Sequence, residues 1–256
     1  MSDGRWPAMG PAQWSNHLWL TARLYEPLWR RRSVALLSGG TYSTERELRA
    51  MRERLALGVG ASVVDLGCSA GLYARTLARA GIDVTAVDVS LAFLREGARL
   101  ATRDDVDVRF VRADVHALPF EDECFDGAVS GGSLNEFHDP RRALAEAARV
   151  LRVGAPLWLM YAARAESIGG RVLQVVLAAS GLRFPAPTDV AAWAAAVGRG
   201  EERAERRGPG VFATYRRGAG LPPVELSSPS PGWDRPRLRP RRRFNRERDE
   251  SDSERH

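Results

Sequence analysis

The sequence contains no lysine, so all 38 of its basic residues are arginine. A phosphate-binding loop of the Walker type needs a lysine after its glycines, and this class of nucleotide site is therefore excluded. Arginines and acidic residues are interspersed over most of the chain, which is typical of a solvated surface. The net charge of +6 is for this reason weak support for a nucleic-acid partner, and we expect no specific nucleic acid to bind.

Cysteine is scarce as well. The chain has two, Cys68 and Cys124, which are too few for a disulfide framework. Neither has a Cys or His neighbour at metal-ligand spacing, so no metal site is predicted. These features fit a reducing compartment. Because the N-terminal residues also lack a signal-peptide pattern, we expect a cytoplasmic protein.

Long hydrophobic runs are missing too. A membrane-spanning helix needs about 18 consecutive apolar residues. The nearest stretch, VLQVVLAASGL at residues 172–182, is shorter and contains Gln174 and Ser180. The sequence therefore predicts no transmembrane segment and a buried or interfacial helix at this place. The sequence is also compatible with peripheral contact between the protein and a membrane.

From residue 62 onward, apolar runs of strand length alternate with amphipathic stretches of helix length. The predicted strands are 62–66, 83–87, 106–112, 125–130, 156–162 and 211–215, and the predicted helices are 70–80, 91–101, 141–151, 169–180 and 188–197. Strands that alternate with helices indicate an α/β fold with a doubly wound, mostly parallel sheet.

Composition divides the chain into three parts. Residues 1–56 are predicted as an N-terminal helical segment, residues 57–217 as the α/β domain, and residues 218–256 as a disordered tail rich in Pro, Ser and Arg. The tail has too few apolar residues to offset the entropy of ordering it. Its arginines fit either a site for anionic partners or a solvated extension, and we favour the second interpretation.

The most informative stretch is VVDLGCSAGLYARTLARAG at residues 63–81, where a strand gives way to a helix through a loop of small residues. In a doubly wound sheet such a loop lies at the carboxyl edge, where ligands bind. Gly67 and Gly71 allow the backbone to approach a ligand without interference from a Cβ atom. Their G-x-x-x-G spacing differs from the G-x-G-x-x-G of dinucleotide-binding folds.

The pattern D-x-G-x-S-x-G at residues 65–71 resembles the first motif of class I S-adenosylmethionine-dependent methyltransferases, usually written D/E-x-G-x-G-x-G. Ser69 stands in place of the middle glycine. Similar segments follow in the family's order: AVDVS at 86–90, RADVHALPFEDECFDGAV at 112–129 and SLNEFHDPRRALAEAARVL at 133–151. The resemblance is nearest to the ubiquinone/menaquinone-biosynthesis-like, methyltransferase type 11-like branch. It implies a seven-stranded Rossmann-like sheet with the N-terminal helices as a lid.

The resemblance also implies S-adenosyl-L-methionine as the cofactor. Asp88, at the end of the second strand, would accept hydrogen bonds from both ribose hydroxyls, as an acceptor-only carboxylate can. Asp114 would accept from the adenine amino group, with Val115 beside the ring. Ser130 would lie beside the methionine moiety. The full set of residues assigned to the cofactor is Asp65, Gly67, Cys68, Ser69, Gly71, Asp88, Val89, Asp114, Val115 and Ser130.

The segment after the fourth strand supplies candidates for a catalytic base. Glu136 and His138 lie at the ligand edge, where either could take a proton from an oxygen or nitrogen acceptor. In the alternative interpretation, Asn135 caps the next helix, and Glu136 and His138 face water.

These observations predict an enzyme that transfers a methyl group to a small-molecule acceptor, such as an aromatic, quinone-like or lipid-like compound. Two alternatives stay open. The first is a non-catalytic S-adenosylmethionine-binding protein, because Ser69 and residues 135–138 depart from the family pattern. The second is a nucleic-acid methyltransferase. Against it, residues 130–133 read SGGS instead of the Asn/Asp-Pro-Pro-aromatic signature of amino-methylating nucleic-acid enzymes. Oligomeric state is not predicted.

Overall fold

The computed structural model describes residues 18–24 and 43–217. Its strands are β1 (Ser62–Leu66), β2 (Asp83–Asp88), β3 (Val108–Arg112), β4 (Gly127–Gly131), β5 (Pro156–Ala162), β6 (Arg199–Arg207) and β7 (Gly210–Arg217). Its helices are α1 (Trp19–Leu24), α2 (Thr44–Leu55), α3 (Leu72–Arg79), α4 (Leu91–Arg103), α5 (Pro140–Val150), α6 (Ile168–Ala178) and α7 (Pro187–Ala196). Most of the predicted N-terminal lid and the whole predicted tail lie outside the described residues.

The seven strands form one sheet in the order β3-β2-β1-β4-β5-β7-β6. Strands β1 to β5 run parallel to one another, β7 is antiparallel to β5, and β6 is antiparallel to β7. The strand order reverses between β1 and β4, and in open α/β sheets ligands bind at such a switch point. The predicted doubly wound, mostly parallel, seven-stranded sheet is confirmed.

The core lies on both faces of the sheet, as expected where parallel strands are covered by helices. Every residue of β1 and β5 is buried. One face packs against Met51 and Leu55 of α2 and Leu77 of α3. The other face packs against Leu144 of α5 and Val190 of α7. The result is a three-layer arrangement whose carboxyl edge is left for loops.

Helix ends follow local capping chemistry. The Ser43 hydroxyl accepts the N–H of Arg46 at 3.3 Å before α2, and the Ser90 hydroxyl accepts the N–H of Phe93 at 3.2 Å before α4. Gly81 follows α3 with a φ of +81°, a conformation that favours glycine at a helix end.

The sequence does not predict β6. Seven of the nine residues in RGEERAERR are charged, and the strand forms the outer edge of the sheet beside β7. Charged side chains on an edge strand disfavour pairing with other chains. They also remove the apolar alternation by which a strand is recognised in a sequence.

Helix α6 differs from expectation as well. Its sequence, IGGRVLQVVLA, predicts a buried or interfacial helix, yet none of its residues is buried. The buried option is therefore wrong, and the helix presents apolar side chains on the surface of the described structure. Within residues 18–24 and 43–217, no helix has the length and apolar character needed to cross a membrane.

Candidate functional site

The loop between β1 and α3 has a backbone conformation that residues other than glycine rarely adopt. The φ angles of Gly67, Ser69 and Gly71 are +68°, +48° and +74°. Glycine reaches this region without steric cost, whereas any other L-residue is strained there by roughly 1–2 kcal/mol. The structure thus explains why glycine is usual at the middle position and what Ser69 changes.

Asp88 ends β2 directly beside this loop. Its Oδ2 accepts the N–H of Ser69 at 2.9 Å, and its Oδ1 accepts the N–H of Ser90 at 2.8 Å. The N–H of Cys68 donates to the carbonyl of Val87 at 2.9 Å. Asp88 is half-buried.

Two of the predicted site residues lie beneath the loop. Asp65 is 2% exposed, and its carboxylate accepts the N–H of Ala74 in α3 at 3.2 Å. Ser130 is fully buried, and its hydroxyl donates to the carbonyl of Leu66 at 3.0 Å. Both side chains hold β1, β4 and α3 in place, and their direct contact with a cofactor stays a prediction.

Gly67 lies against the segment that follows β4. A Cβ atom added here would lie 2.5 Å from the Cβ of Ser133, whose hydroxyl donates to the Gly67 carbonyl at 2.5 Å. At the end of β4, a Cβ on Gly131 would lie 2.7 Å from the ring of Tyr73. Because both glycines permit close approach, the loops after β1 and β4 form one surface at the carboxyl edge.

The remaining residues assigned to the cofactor differ in their exposure to solvent. Cys68 is buried; burial first, and then the charges of Asp88 and Asp65, raise the pKa of its thiol well above its usual range. Such a thiol stays protonated at neutral pH and packs instead of reacting. Val89 is half-buried, and Val115 is buried.

Asp114 follows β3 and binds a histidine that the sequence analysis did not select. Its Oδ1 accepts from the backbone N–H of His116 at 2.9 Å and lies 2.5 Å from the ring Nδ1. The ring Nε2 accepts the N–H of Asp139 at 3.3 Å, so the hydrogen-bond pattern assigns the proton to Nδ1. Burial favours the neutral acid, but the hydrogen bonds from His116 outweigh it and lower the pKa of Asp114. Asp114 is thus an ionised acceptor at neutral pH.

His116 stacks on His138, with the two ring centroids 3.7 Å apart. Partial burial of the ring first, and then its electrostatic interaction with His116, lower the pKa of His138 below its ordinary value of 6.5. The imidazole is therefore neutral at pH 7. His138 also lines an open groove of about 350 Å³, whose walls include Arg141, Arg183 and Trp193.

The expectation that Asn135 caps the next helix is wrong. Its side-chain NH₂ donates to the carbonyls of Ala162 and Arg183 at 2.7 and 2.5 Å, and its Oδ1 accepts the N–H of Ala162 at 2.8 Å. The cap of α5 is Asp139, whose carboxylate accepts the N–H of Arg142 at 3.2 Å. An amide both donates and accepts, which allows Asn135 to join the end of β5 to the segment before α7.

Glu136 and His138 both lie on the loop between β4 and α5, at the predicted edge. Glu136 is half-buried, and its N–H donates to the Ser133 carbonyl at 2.9 Å; His138 is exposed. Sequence patterns alone do not identify His116, Ser133 and Asn135 as site residues. The available signal for His116 was its place two residues after Asp114, in a loop at the carboxyl edge.

Comparison with known proteins agrees with this geometry. Residues 64–159 match the family model described as a methyltransferase domain. The demethylmenaquinone methyltransferase of Renibacterium salmoninarum is 36% identical over 114 residues, which cover 44% of this chain and 46% of that protein. An O-methyltransferase of Aspergillus sclerotiorum is 36% identical over 118 residues, 45% of each chain. The matched segment spans less than half the length of either relative.

Solved structures share the architecture. The [4+2]-cyclase SpnF superposes with a TM-score of 0.64 at 22% identity, over 86% of this chain and 100% of that chain. The geranyl diphosphate C-methyltransferase of Streptomyces coelicolor superposes with a TM-score of 0.60 at 15% identity, over 68% of this chain and 76% of that chain. At these identities the likeness shows the fold alone. The resemblance found in the sequence is nevertheless supported by the domain match: residues 64–159 of this chain are similar to a methyltransferase domain.

Proposed function

We propose that this chain is an S-adenosylmethionine-dependent methyltransferase that acts on a small-molecule acceptor. The observation that carries the proposal is the hydrogen bond between Asp88 and the N–H of Ser69. It joins a carboxylate to a loop of left-handed residues at the switch point of the sheet, where ligands of such folds bind.

The residues at this edge fit an adenosyl ligand. The half-buried carboxylate of Asp88 suits a pair of hydroxyl donors. Gly67 and Gly71 let the loop pack closely on its neighbours at this edge, because added Cβ atoms would meet Ser133 and Phe110 at 2.5 and 3.1 Å. The ionised Asp114 suits an amino group that donates hydrogen bonds.

When bound, S-adenosylmethionine supplies a methyl carbon that is already electrophilic, since it is attached to a sulfonium. The chain therefore has mainly to hold an acceptor close and in line. The loop after β4 is suited to this task, because Ser133 ties it to Gly67 and Asn135 ties it to β5. On this loop, Glu136 and His138 are the proposed proton acceptors. The lowered pKa of His138 keeps its ring in the neutral form that can accept a proton.

An apolar acceptor, aromatic, quinone-like or lipid-like, is the class that the relatives support. Two of them are named demethylmenaquinone methyltransferase and O-methyltransferase, and a structural neighbour is a geranyl diphosphate C-methyltransferase. A cyclase has the same fold, so the fold alone does not select the reaction. The methyltransferase domain match favours methyl transfer over a non-catalytic role. A cytoplasmic location is part of this proposal, because Cys68 and Cys124 are free thiols.

Calorimetric titration with S-adenosylmethionine and S-adenosylhomocysteine tests the proposal. Wild-type protein is expected to bind both ligands. Asp88→Asn, which keeps one acceptor oxygen, should weaken binding about tenfold, and Asp88→Ala about a hundredfold, since hydrogen bonds to a charged group are worth roughly 1.5–3 kcal/mol. The control Asp107→Asn changes an exposed carboxylate before β3, at the opposite edge, and should bind as wild type does. Folded wild-type protein that binds neither ligand would overturn the proposal.

A further inference from the structure

Helix α6 carries a stripe of apolar side chains that no other described residue covers. Ile168, Val172, Val175 and Val176 are 82%, 61%, 73% and 65% exposed. They recur at i, i+4, i+7 and i+8, which is the spacing of one helix face. A contiguous exposed apolar patch of this kind marks an interaction site more often than chance.

The opposite face of α6 holds the helix against the end of β5. The side-chain Oε1 of Gln174 accepts the N–H of Ala165 at 2.8 Å, and its Nε2 donates to the carbonyl of Ala163 at 2.8 Å. Residues two positions apart on a helix are separated by about 200°. Val172 and Val176 therefore point away from the side on which Gln174 is attached. The attachment fixes the apolar stripe in an outward orientation.

The charges on α6 and directly after it are of one sign. Residues 167–183 include no acid, and they carry the exposed Arg171 and Arg183. Before the helix, Arg164 forms an ion pair with Asp189 at 3.5 Å, and Glu166 forms one with Arg206 at 2.9 Å. An apolar stripe flanked by arginines is complementary to a surface that offers acyl chains beneath anionic headgroups.

We propose that α6 docks the protein on an anionic lipid surface, with the stripe inserted between the headgroups. A second copy of the chain is a poorer occupant. An eleven-residue helix is about 16 Å long, so one of its faces cannot supply the roughly 800 Å² per partner that stable protein interfaces bury.

Docking through α6 would also orient the candidate site. The helix follows the carboxyl end of β5, and the loops after β1 and β4 lie at the same edge of the sheet. This edge would face the bilayer, from which an apolar acceptor would enter. Only that route rests on the proposed methyl transfer; the docking itself does not.

Cosedimentation of the full chain with lipid vesicles tests the docking. Wild-type protein is expected to bind vesicles of equal parts phosphatidylcholine and phosphatidylglycerol at least about tenfold more tightly than phosphatidylcholine alone, and to lose this preference in high salt. Val172→Ser/Val176→Ser should reduce binding at least about tenfold. The matched control, Val59→Ser/Val153→Ser, removes two valines that are 83% and 54% exposed at the opposite edge, and should bind as wild type does.

Three outcomes would overturn the docking proposal. They are absence of binding by wild type, an equal loss in the control, and a wild-type dimer that the stripe variant dissociates. Calorimetric binding of S-adenosylmethionine by the stripe variant is expected to be unchanged. The two proposals can therefore fail separately.

Discussion

The N–H of Ser69 lies 2.9 Å from Oδ2 of Asp88, so the end of β2 holds the loop that follows β1. The donor residue has a φ of +48°. Glycine takes this conformation without strain, and serine does not. The bond that defines the candidate site is thus made by a strained residue, which has a measurable consequence for stability.

Ser69→Gly is expected to raise the free energy of unfolding by about 0.5–1 kcal/mol. Removal of the left-handed strain raises the free energy of unfolding by roughly 1–2 kcal/mol. The greater conformational freedom of glycine in the unfolded chain lowers it by roughly 0.5–1 kcal/mol. Urea unfolding checks this difference. Ser69→Ala keeps a Cβ atom and should bring no gain. A comparable gain from alanine would contradict the explanation by backbone strain.

Gly67→Ala should be far more damaging than Gly154→Ala, although both glycines have a positive φ, +68° and +77°. At Gly154 an added Cβ meets nothing within 4 Å, so the expected loss is the strain alone, about 1 kcal/mol. At Gly67 it would lie 2.5 Å from the Cβ of Ser133, which adds roughly 1–3 kcal/mol of overpacking. Urea unfolding of both variants measures the difference. Equal losses would show that the approach of the two loops is not tight.

Much of the fold could be predicted because local patterns determine it. The predicted bounds of β1 and β5 agree with the structure, since each is a short apolar run in which every residue is buried. β6 lacks such a run. Its first residue, Arg199, is fully buried and donates to the carbonyls of Ala155 and Ala148 at 2.7 and 3.5 Å. Nothing in the sequence separates this buried arginine from the other arginines of the same strand.

The candidate site likewise contains some contacts that the sequence predicts and others that it does not. Gly67, Ser69 and Asp88 could be placed together because the ends of adjacent parallel strands must lie side by side. The stacking of His116 on His138 could not be predicted, because it depends on how two loops that are distant in the sequence meet. Contacts of that kind follow from packing, on which local periodicity carries no information.

Asp104→Asn should destabilise the protein by about 3 kcal/mol, as expected when one partner of a buried ion pair is removed. The carboxylate of Asp104 forms an ion pair with Arg75, and these side chains are 8% and 2% exposed. Burial opposes ionisation, but hydrogen bonds from Arg75 and Arg103 outweigh it and lower the pKa of Asp104. Urea unfolding tests the prediction, with the exposed neighbour Asp105→Asn as the control, for which less than about 0.5 kcal/mol is expected.

The His138 imidazole should titrate below pH 6.5 in the folded protein, as followed by NMR of its ring protons. The unfolded chain then binds this proton more tightly than the folded chain, so the contribution of His138 to stability is present above pH 6.5 and is lost as the pH falls through the lowered pKa. His116→Gln removes the ring that stacks on His138, and with it part of the burial that lowers the pKa, so it should raise the midpoint. Asp107→Asn, at the far edge of the sheet, should leave it in place. A wild-type midpoint above 6.5 would contradict the assigned environment.

Activity measured against pH can separate the two proposed bases, using an acceptor found by screening quinols and phenols. If His138 takes the proton, kcat/KM rises with pH through its lowered pKa and then stays level, because the neutral ring is the active form. His138→Gln should then reduce kcat/KM by about 10²–10⁴-fold and abolish this pH dependence, whereas Glu136→Gln should leave the profile unchanged. The reverse pattern assigns the proton to Glu136. A loss of less than about tenfold in both variants would mean that positioning by the loop after β4 supplies most of the rate enhancement.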